Sequence, residues 1–231
     1  MTDIPAALRV AATPRAWPTV GPVAPERVAL LSIDFQADFV SDDAWLARIG
    51  IDTAPMRAIL PQAATALDAA RAASIHVVHT RQGNAADCSD IAPFRQEVRG
   101  IRNRPAASDD DVGLVRGTRG WEIVDAVAPV PGEMVIDKTG FSAFEGTALD
   151  AELRARSIEV IVVMGVTTNV CVLATLLGAI DRGYDTLVLT DAVAADDPAI
   201  TDATIRIVEH EGSLFGARAT VDAFVAALTA R

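Results

Sequence analysis

Cys171, Asp34 and Lys138 are the side chains of this sequence best placed to make and break covalent bonds. A thiolate attacks a carbonyl carbon, a carboxylate carries a proton, and an ammonium group holds that carboxylate ionised. Together they suggest acyl transfer. Cys171 follows a β-branched apolar run, Val160 to Val163, which reads as a strand buried on both faces. Gly165 breaks the run, a short turn follows, and Cys171 opens a helical pattern through Leu173, Leu176, Leu177 and Ile180. Unpaired N–H groups and the positive end of the helix dipole converge at that position. Such surroundings lower a thiol pKa and favour the thiolate. The alternative is a small buried hydrophobe.

Asp34 ends the apolar run Val28 to Ile33, and Lys138 stands just past Met134 to Asp137. Both runs read as strands. In an open parallel sheet the carboxyl ends share one edge, so groups distant in sequence can converge there. Taken singly, Asp34 could equally be an N-cap or turn aspartate. A cysteine hydrolase commonly uses histidine as its base. His76, His79 and His210 are the only histidines, and each reads better as a satisfied core histidine, so the proton work falls to Asp34. The turn Gly165 to Cys171 would supply backbone N–H donors to an oxyanion.

The elements that must position these groups alternate along the chain. A helical pattern spans Trp45 to Ala73, with Ile59, Ala63, Ala66, Leu67 and Ala70 at three- and four-residue steps. Ile75 to Thr80 is a second strand, and Arg81, Gln82, Gly83 and Asn84 open a polar loop at its end. Residues 84–120 read as a long excursion over the sheet, with Asp109, Asp110 and Asp111 as a solvated charge run. Trp121 to Val127 and Leu149 to Arg156 read as helices, and Thr186 to Leu189 as a fifth strand. Ala199 to His210 reads as a helix, Leu214-Phe215 as a short last strand, and Thr220 to Ala230 as the closing helix. Alternation of this kind predicts an α/β fold: a mostly parallel sheet of about six strands covered on both faces. Residues 1–27, with five prolines from Pro5 to Pro25, form an N-terminal arm, and residues 28–231 form a single domain. Trp17 predicts that the arm packs on something, a neighbouring subunit being one candidate.

The chain has 231 residues and a net charge of −11, which excludes nucleic acid and anionic membranes as natural partners. Two cysteines, Cys88 and Cys171, are not a disulfide framework and point to a reducing, cytoplasmic setting. The N-terminal stretch has no apolar core of a signal peptide, and no run approaches a membrane span.

Three stretches carry a family resemblance. Ile-Asp-Phe-Gln-Ala-Asp-Phe at 33–39, Asp-Lys-Thr-Gly-Phe-Ser-Ala-Phe at 137–144 and Gly-Val-Thr-Thr-Asn-Val-Cys-Val at 165–172 resemble the signature segments of the isochorismatase-like cysteine hydrolases. The resemblance runs from about residue 26 to the C-terminus. It implies a Rossmann-like three-layer sandwich and a catalytic triad of Cys171, Asp34 and Lys138. It also implies a non-proline cis peptide at Val166–Thr167, which would aim the N–H groups of Thr167 and Cys171 at the oxyanion. Within the family, the chain is most similar to the ureide amidohydrolases, which include biuret hydrolase, ureidoacrylate amidohydrolase and N-carbamoylsarcosine amidase, and residues 79–83, 116–121 and 212–216 resemble biuret hydrolase most. Biuret hydrolases carry a lysine where this chain has Phe141 and a glutamine where it has Glu211, a departure that favours a longer or less polar ureide. Nicotinamidases bind a metal through histidines after the second strand. Residues 81–90 contain none, so the resemblance implies no metal and no cofactor.

The implied activity is cysteine-dependent hydrolysis of a linear C–N bond in a ureido or carbamoyl compound, through a thioester and with release of ammonia. An amidase for a simple or aromatic carboxamide is the alternative, and a non-catalytic scaffold is a third reading. Phe39, Gln82, Phe141 and Glu211 are the candidate substrate-binding residues, although Phe39 and Phe141 could equally be core. A homo-oligomer, tetramer or dimer, follows from the resemblance and the Trp17 arm.

Overall fold

The computed structural model describes residues 7–98 and 113–229. Its centre is one six-stranded sheet in the order β3-β2-β1-β4-β5-β6, with every pairing parallel. The strands are β1 Val28–Ile33, β2 His76–Gln82, β3 Met134–Lys138, β4 Val160–Val166, β5 Asp185–Ala194 and β6 Ala217–Ala219. Every residue of β1 and β4 is buried. Val28 and Leu30 join Met56, Leu67 and Phe224 in one core, while Ala29, Leu31 and Ile33 join Leu149, Leu153 and Leu176 in the other. A strand with a core on each side must be apolar at successive positions, which is why these runs do not alternate.

Four helices separate β1 from β2: α1 Ala37–Val40, α2 Trp45–Arg48, α3 Ala54–Ala58 and α4 Leu60–Ala72. The single helix expected from Trp45 to Ala73 is therefore broken. Gly50 sits at φ +91°, and Pro55 and Pro61 occupy the opening turns of α3 and α4, where a missing N–H costs nothing. α5 Pro93–Val98 follows β2. The helix expected at 121–127 is instead two single 3₁₀ turns, Arg119–Trp121 and Asp125–Val127. Of the 84–120 excursion, residues 99–112, including Asp109 to Asp111, lie outside the described residues.

The remaining helices are α6 Leu149–Ala155, α7 Leu173–Ile180, α8 Pro198–Ser213 and α9 Val221–Thr229. The last strand is Ala217–Ala219 and not Leu214-Phe215. Glu211, Gly212 and Ser213 all take positive φ, which turns the chain out of α8 and leaves Leu214 exposed. β5 runs past Leu189 to Ala194, so Asp191 lies within it, and its Oδ1 accepts the Val221 N–H at 2.8 Å where α9 begins.

Trp17 is fully buried within its own chain, in the core that also holds Leu8 and Val10. Backbone bridges Val10–Trp17 and Thr13–Arg218 tie the arm to itself and to β6. The arm therefore completes the layer over this side of the sheet. Truncation of a fully buried indole costs about 3–5 kcal/mol. Trp17→Ala should lower unfolding free energy in urea by that amount at constant protein concentration; a loss under about 1 kcal/mol would show that the arm is dispensable to the core.

Candidate active site

The sheet order reverses direction between β1 and β4, the two strands that end nearest the site. That crevice at the carboxyl ends is where open α/β sheets bind ligands. Gly165 makes the close approach possible. A Cβ there would lie 2.2 Å from the Ile33 carbonyl oxygen, and the residue takes φ +132°. The Val166–Thr167 peptide is cis, and a wide π-type turn, Thr168–Val172, carries Cys171 before α7 starts. Cys171 thus precedes the regular helix rather than opening it.

Asp34 leaves β1 with φ +52°, a left-handed conformation that swings its side chain off the strand direction. One carboxylate oxygen, Oδ1, accepts the Thr80 hydroxyl at 2.5 Å, while the Asp34 N–H donates back to Thr80 Oγ1 at 3.2 Å. The other, Oδ2, accepts Lys138 Nζ at 2.7 Å. Lys138 is the last residue of β3, in register with Gln82. Its Nζ also donates to the Gly140 carbonyl at 3.2 Å and to Cys171 Sγ at 3.6 Å. The thiol donates to Gln82 Oε1 at 3.3 Å, and the Asp34 carboxylate acts on it through its charge. Asp34, Gln82, Lys138 and Cys171 are all buried, so four groups from four strand ends meet in one cluster.

Burial pushes the Cys171 thiol up, the Asp34 charge pushes it further, and Lys138 only partly opposes them. The expected lowering by a helix end is therefore reversed: dehydration and a neighbouring carboxylate outweigh the backbone dipoles. Burial acts to lower Lys138, but the Asp34 charge, followed by Cys171, outweighs it, and the net shift is upward. The ammonium is held charged beside a neutral thiol.

Gln82 is fixed from behind. Gln36 donates from Nε2 to the Gln82 carbonyl at 2.9 Å and to the Trp121 carbonyl at 2.9 Å, and its Oε1 accepts the Gln82 N–H at 2.7 Å. Phe39, Gln82, Phe141, Thr167 and Cys171 line one cavity of about 430 Å³. Glu211 does not join them. It lines a separate cavity with His210, Leu214 and Phe215, because the turn after α8 carries it away. Thr80 and Gln36 were not singled out from sequence. Each stands within two residues of a flagged residue, and a polar side chain at a strand end was the only signal available.

Among the described residues none of the three histidines lines this cavity. His79 is buried, with Nε2 against Glu133 Oε2 at 3.0 Å, and burial lowers its pKa despite that carboxylate. Among the described residues no cluster of three or more His, Cys, Asp or Glu could hold a metal ion. Nor is any helix among them long and apolar enough to cross a membrane.

A parallel α/β sheet with a buried thiol, carboxylate and ammonium at its switch point has the architecture of the isochorismatase-like cysteine hydrolases. The isochorismatase domain model matches residues 28–219, and the chain belongs to that family. It is 33% identical over 223 residues to the ureidoacrylate amidohydrolase RutB of Methylorubrum extorquens, covering 90% of this chain and 88% of that protein. A cysteine hydrolase from Pseudomonas syringae superposes with a TM-score of 0.76 at 26% identity, covering 90% of this chain and 95% of that one. The N-carbamoylsarcosine amidase from Thermoplasma acidophilum gives a TM-score of 0.65 at 26% identity, over 84% and 96% of the two chains.

The raised thiol pKa sets a pH profile. Thiolate, and with it alkylation by iodoacetamide, should still be climbing in Cys88→Ser protein above pH 9, where an ordinary thiol levels off. Asp34→Asn removes a charge that opposes ionisation while Lys138 remains. It should shift the alkylation profile to lower pH, and an unchanged or higher profile would show that Asp34 does not act on the thiol.

Proposed function

We propose that this chain is a cysteine-dependent amidohydrolase that cleaves a linear C–N bond of a ureido or carbamoyl compound and releases ammonia. The observation that carries the reading is the contact set of Cys171, Asp34 and Lys138 at the base of a ligand-sized cavity. A thiol whose pKa is raised cannot attack as a standing thiolate and needs a base beside it. Asp34 takes the Sγ proton as sulfur adds to the carbonyl carbon. Lys138 balances the Asp34 charge at 2.7 Å and offsets charge on sulfur as the proton leaves. The Thr167 and Cys171 N–H groups receive the oxyanion; one such donor is worth about 10²–10³ in rate. Asp34 then returns the proton to the departing nitrogen, ammonia leaves, and a carbamoyl thioester remains on Cys171. Water attacks that thioester after giving a proton to Asp34, and the thiol re-forms. Gln82 positions the thiol and contributes an amide to the substrate. The names of relatives that act on ureidoacrylate and N-carbamoylsarcosine support a ureide over other amides.

The same groups would open a simple carboxamide, and Phe141 in the cavity favours an aromatic one as the second reading. The reading includes a homo-oligomer, supported by Ile200 and Ile207, exposed and two turns apart along α8.

The test is ammonia release from ureido acids, carbamoyl amino acids, biuret and carboxamides. Release from ureides should vanish in Cys171→Ala and fall by at least about 10³ in Asp34→Asn, consistent with loss of both nucleophile activation and leaving-group protonation. Full turnover by Cys171→Ala would overturn the nucleophile. Turnover surviving Asp34→Asn would place the base elsewhere. Release confined to carboxamides would favour the second reading.

A further inference from the structure

The cavity over Cys171 is larger and more apolar than a ureido head alone requires. Its volume of about 430 Å³ is some fourteen times liquid water's share of about 30 Å³ per molecule. Away from Cys171 one side of its wall is Phe39, Trp45, Leu46, Ile51, Met56 and Leu114, while Arg95, Asn169 and Asp196 are polar residues on the rest of the lining. Four of these come from α2, α3 and the segment joining them, the stretch where Gly50 and Pro55 break the expected helix. The wall is built rather than incidental. Asp38, itself buried, accepts the Trp45 N–H at 3.2 Å and the Leu114 N–H at 2.6 Å, pinning two separate segments to one carboxylate. Gly113 lies so close to the Trp45 ring that a Cβ would meet it at 2.1 Å. Arg95, on the same cavity, already has partners: its guanidinium stacks on Phe141 at 4.5 Å and donates to the Thr139 carbonyl at 3.2 Å.

We infer that the substrate is a monosubstituted urea or N-carbamoyl compound whose second substituent is an uncharged apolar group, aryl or medium-chain alkyl, seated against Trp45, Leu46, Ile51 and Met56. This rests on the proposed function and names the substituent that reading leaves open. The ureido carbonyl faces Cys171, the departing NH₂ leaves as ammonia, and the substituent stays on the acyl side of the thioester. The aliphatic side chains Leu46, Ile51 and Met56 offer a carboxylate seated against them no hydrogen bond in exchange for its hydration shell. The wall therefore selects against short ureido acids as well as for apolar ureas.

The experiment is kcat/KM for ammonia release from N-alkylureas, methyl through pentyl, with phenylurea and 3-ureidopropionate alongside. Each methylene buried should raise kcat/KM about fourfold until the cavity is full, the value of one buried methylene. Butylurea should exceed 3-ureidopropionate, which is of similar length, by more than tenfold. Leu46→Asn should flatten the series. A flat series with ammonia release that still depends on Cys171 would overturn the inference and leave the hydrolytic reading standing. A preference for 3-ureidopropionate that disappears in Arg95→Gln would also overturn it, by assigning Arg95 to a carboxylate. Protection of Cys171 from iodoacetamide by the same ureas reads binding without turnover. Protection that climbs with chain length while no ammonia appears would uphold the cavity assignment and overturn the hydrolytic reading instead.

Discussion

The ion pair between Asp34 and Lys138, 2.7 Å long and with neither side chain exposed, sets the terms for everything around it. Removing two charges from water costs several kcal/mol per ion, and their attraction repays this only when the remaining lone pairs and protons find partners. Here they do. Thr80 takes Oδ1 of the aspartate, and Gly140 and Cys171 take further protons of the ammonium. Those partners come from the ends of β2 and β3 and the turn after β4. An isolated pair would be a liability to the core. This one is a junction at which three strand ends must be in register, so the arrangement that makes the burial tolerable also sets the geometry of the thiol.

That junction explains why the sheet has this connectivity at this point. β1 is flanked by β2 on one side and β4 on the other, so a residue just past β1 lies between the ends of both. Asp34 occupies that position, and its left-handed backbone aims it across the gap. The missing side chain at Gly165 lets β4 pass close enough for the thiol to complete the contact. On the other side, the Gln36 amide locks the end of β2 through both its oxygen and its nitrogen, so Gln82 faces Cys171 from a rigid edge. Precision of this kind is cheapest on strand ends, where the ladder already fixes the backbone.

Much of this was legible in the sequence because it is local. The strands buried on both faces announce themselves as unbroken apolar runs, and a reactive residue just past such a run is already placed on the common edge. Where one run was too short and too ordinary, as at Ala217–Ala219, the apolar pair Leu214-Phe215 took its place, since periodicity cannot see three consecutive positive φ values before it. The Trp45 to Ala73 pattern holds two breaks, between α2 and α3 and between α3 and α4, that apolar spacing alone does not mark. The cavity wall was least legible. Leu46, Ile51 and Met56 look like core in any one-dimensional reading, and their place on a cavity shows only in three dimensions, where the carboxylate of Asp38 ties Trp45 to Leu114 across 68 intervening positions.

The thiol marks the sharpest divergence between reading and structure, and its direction is informative. A helix end predicts a thiolate at rest, as in enzymes whose cysteine stands ready before substrate arrives. Burial and the Asp34 charge instead keep Cys171 neutral. A neutral thiol in a dry pocket is a poor target for adventitious electrophiles and oxidants, since both react with the thiolate. Under the proposed mechanism it becomes a nucleophile only when its proton can move to Asp34 while a carbonyl is in place to receive the sulfur, with the positive charge on Lys138 already there to meet the charge that forms. The ion pair thus does two things with one geometry. It sets a carboxylate and an ammonium beside the sulfur in a buried site, and under the proposed mechanism it makes activation of the sulfur conditional on a bound substrate.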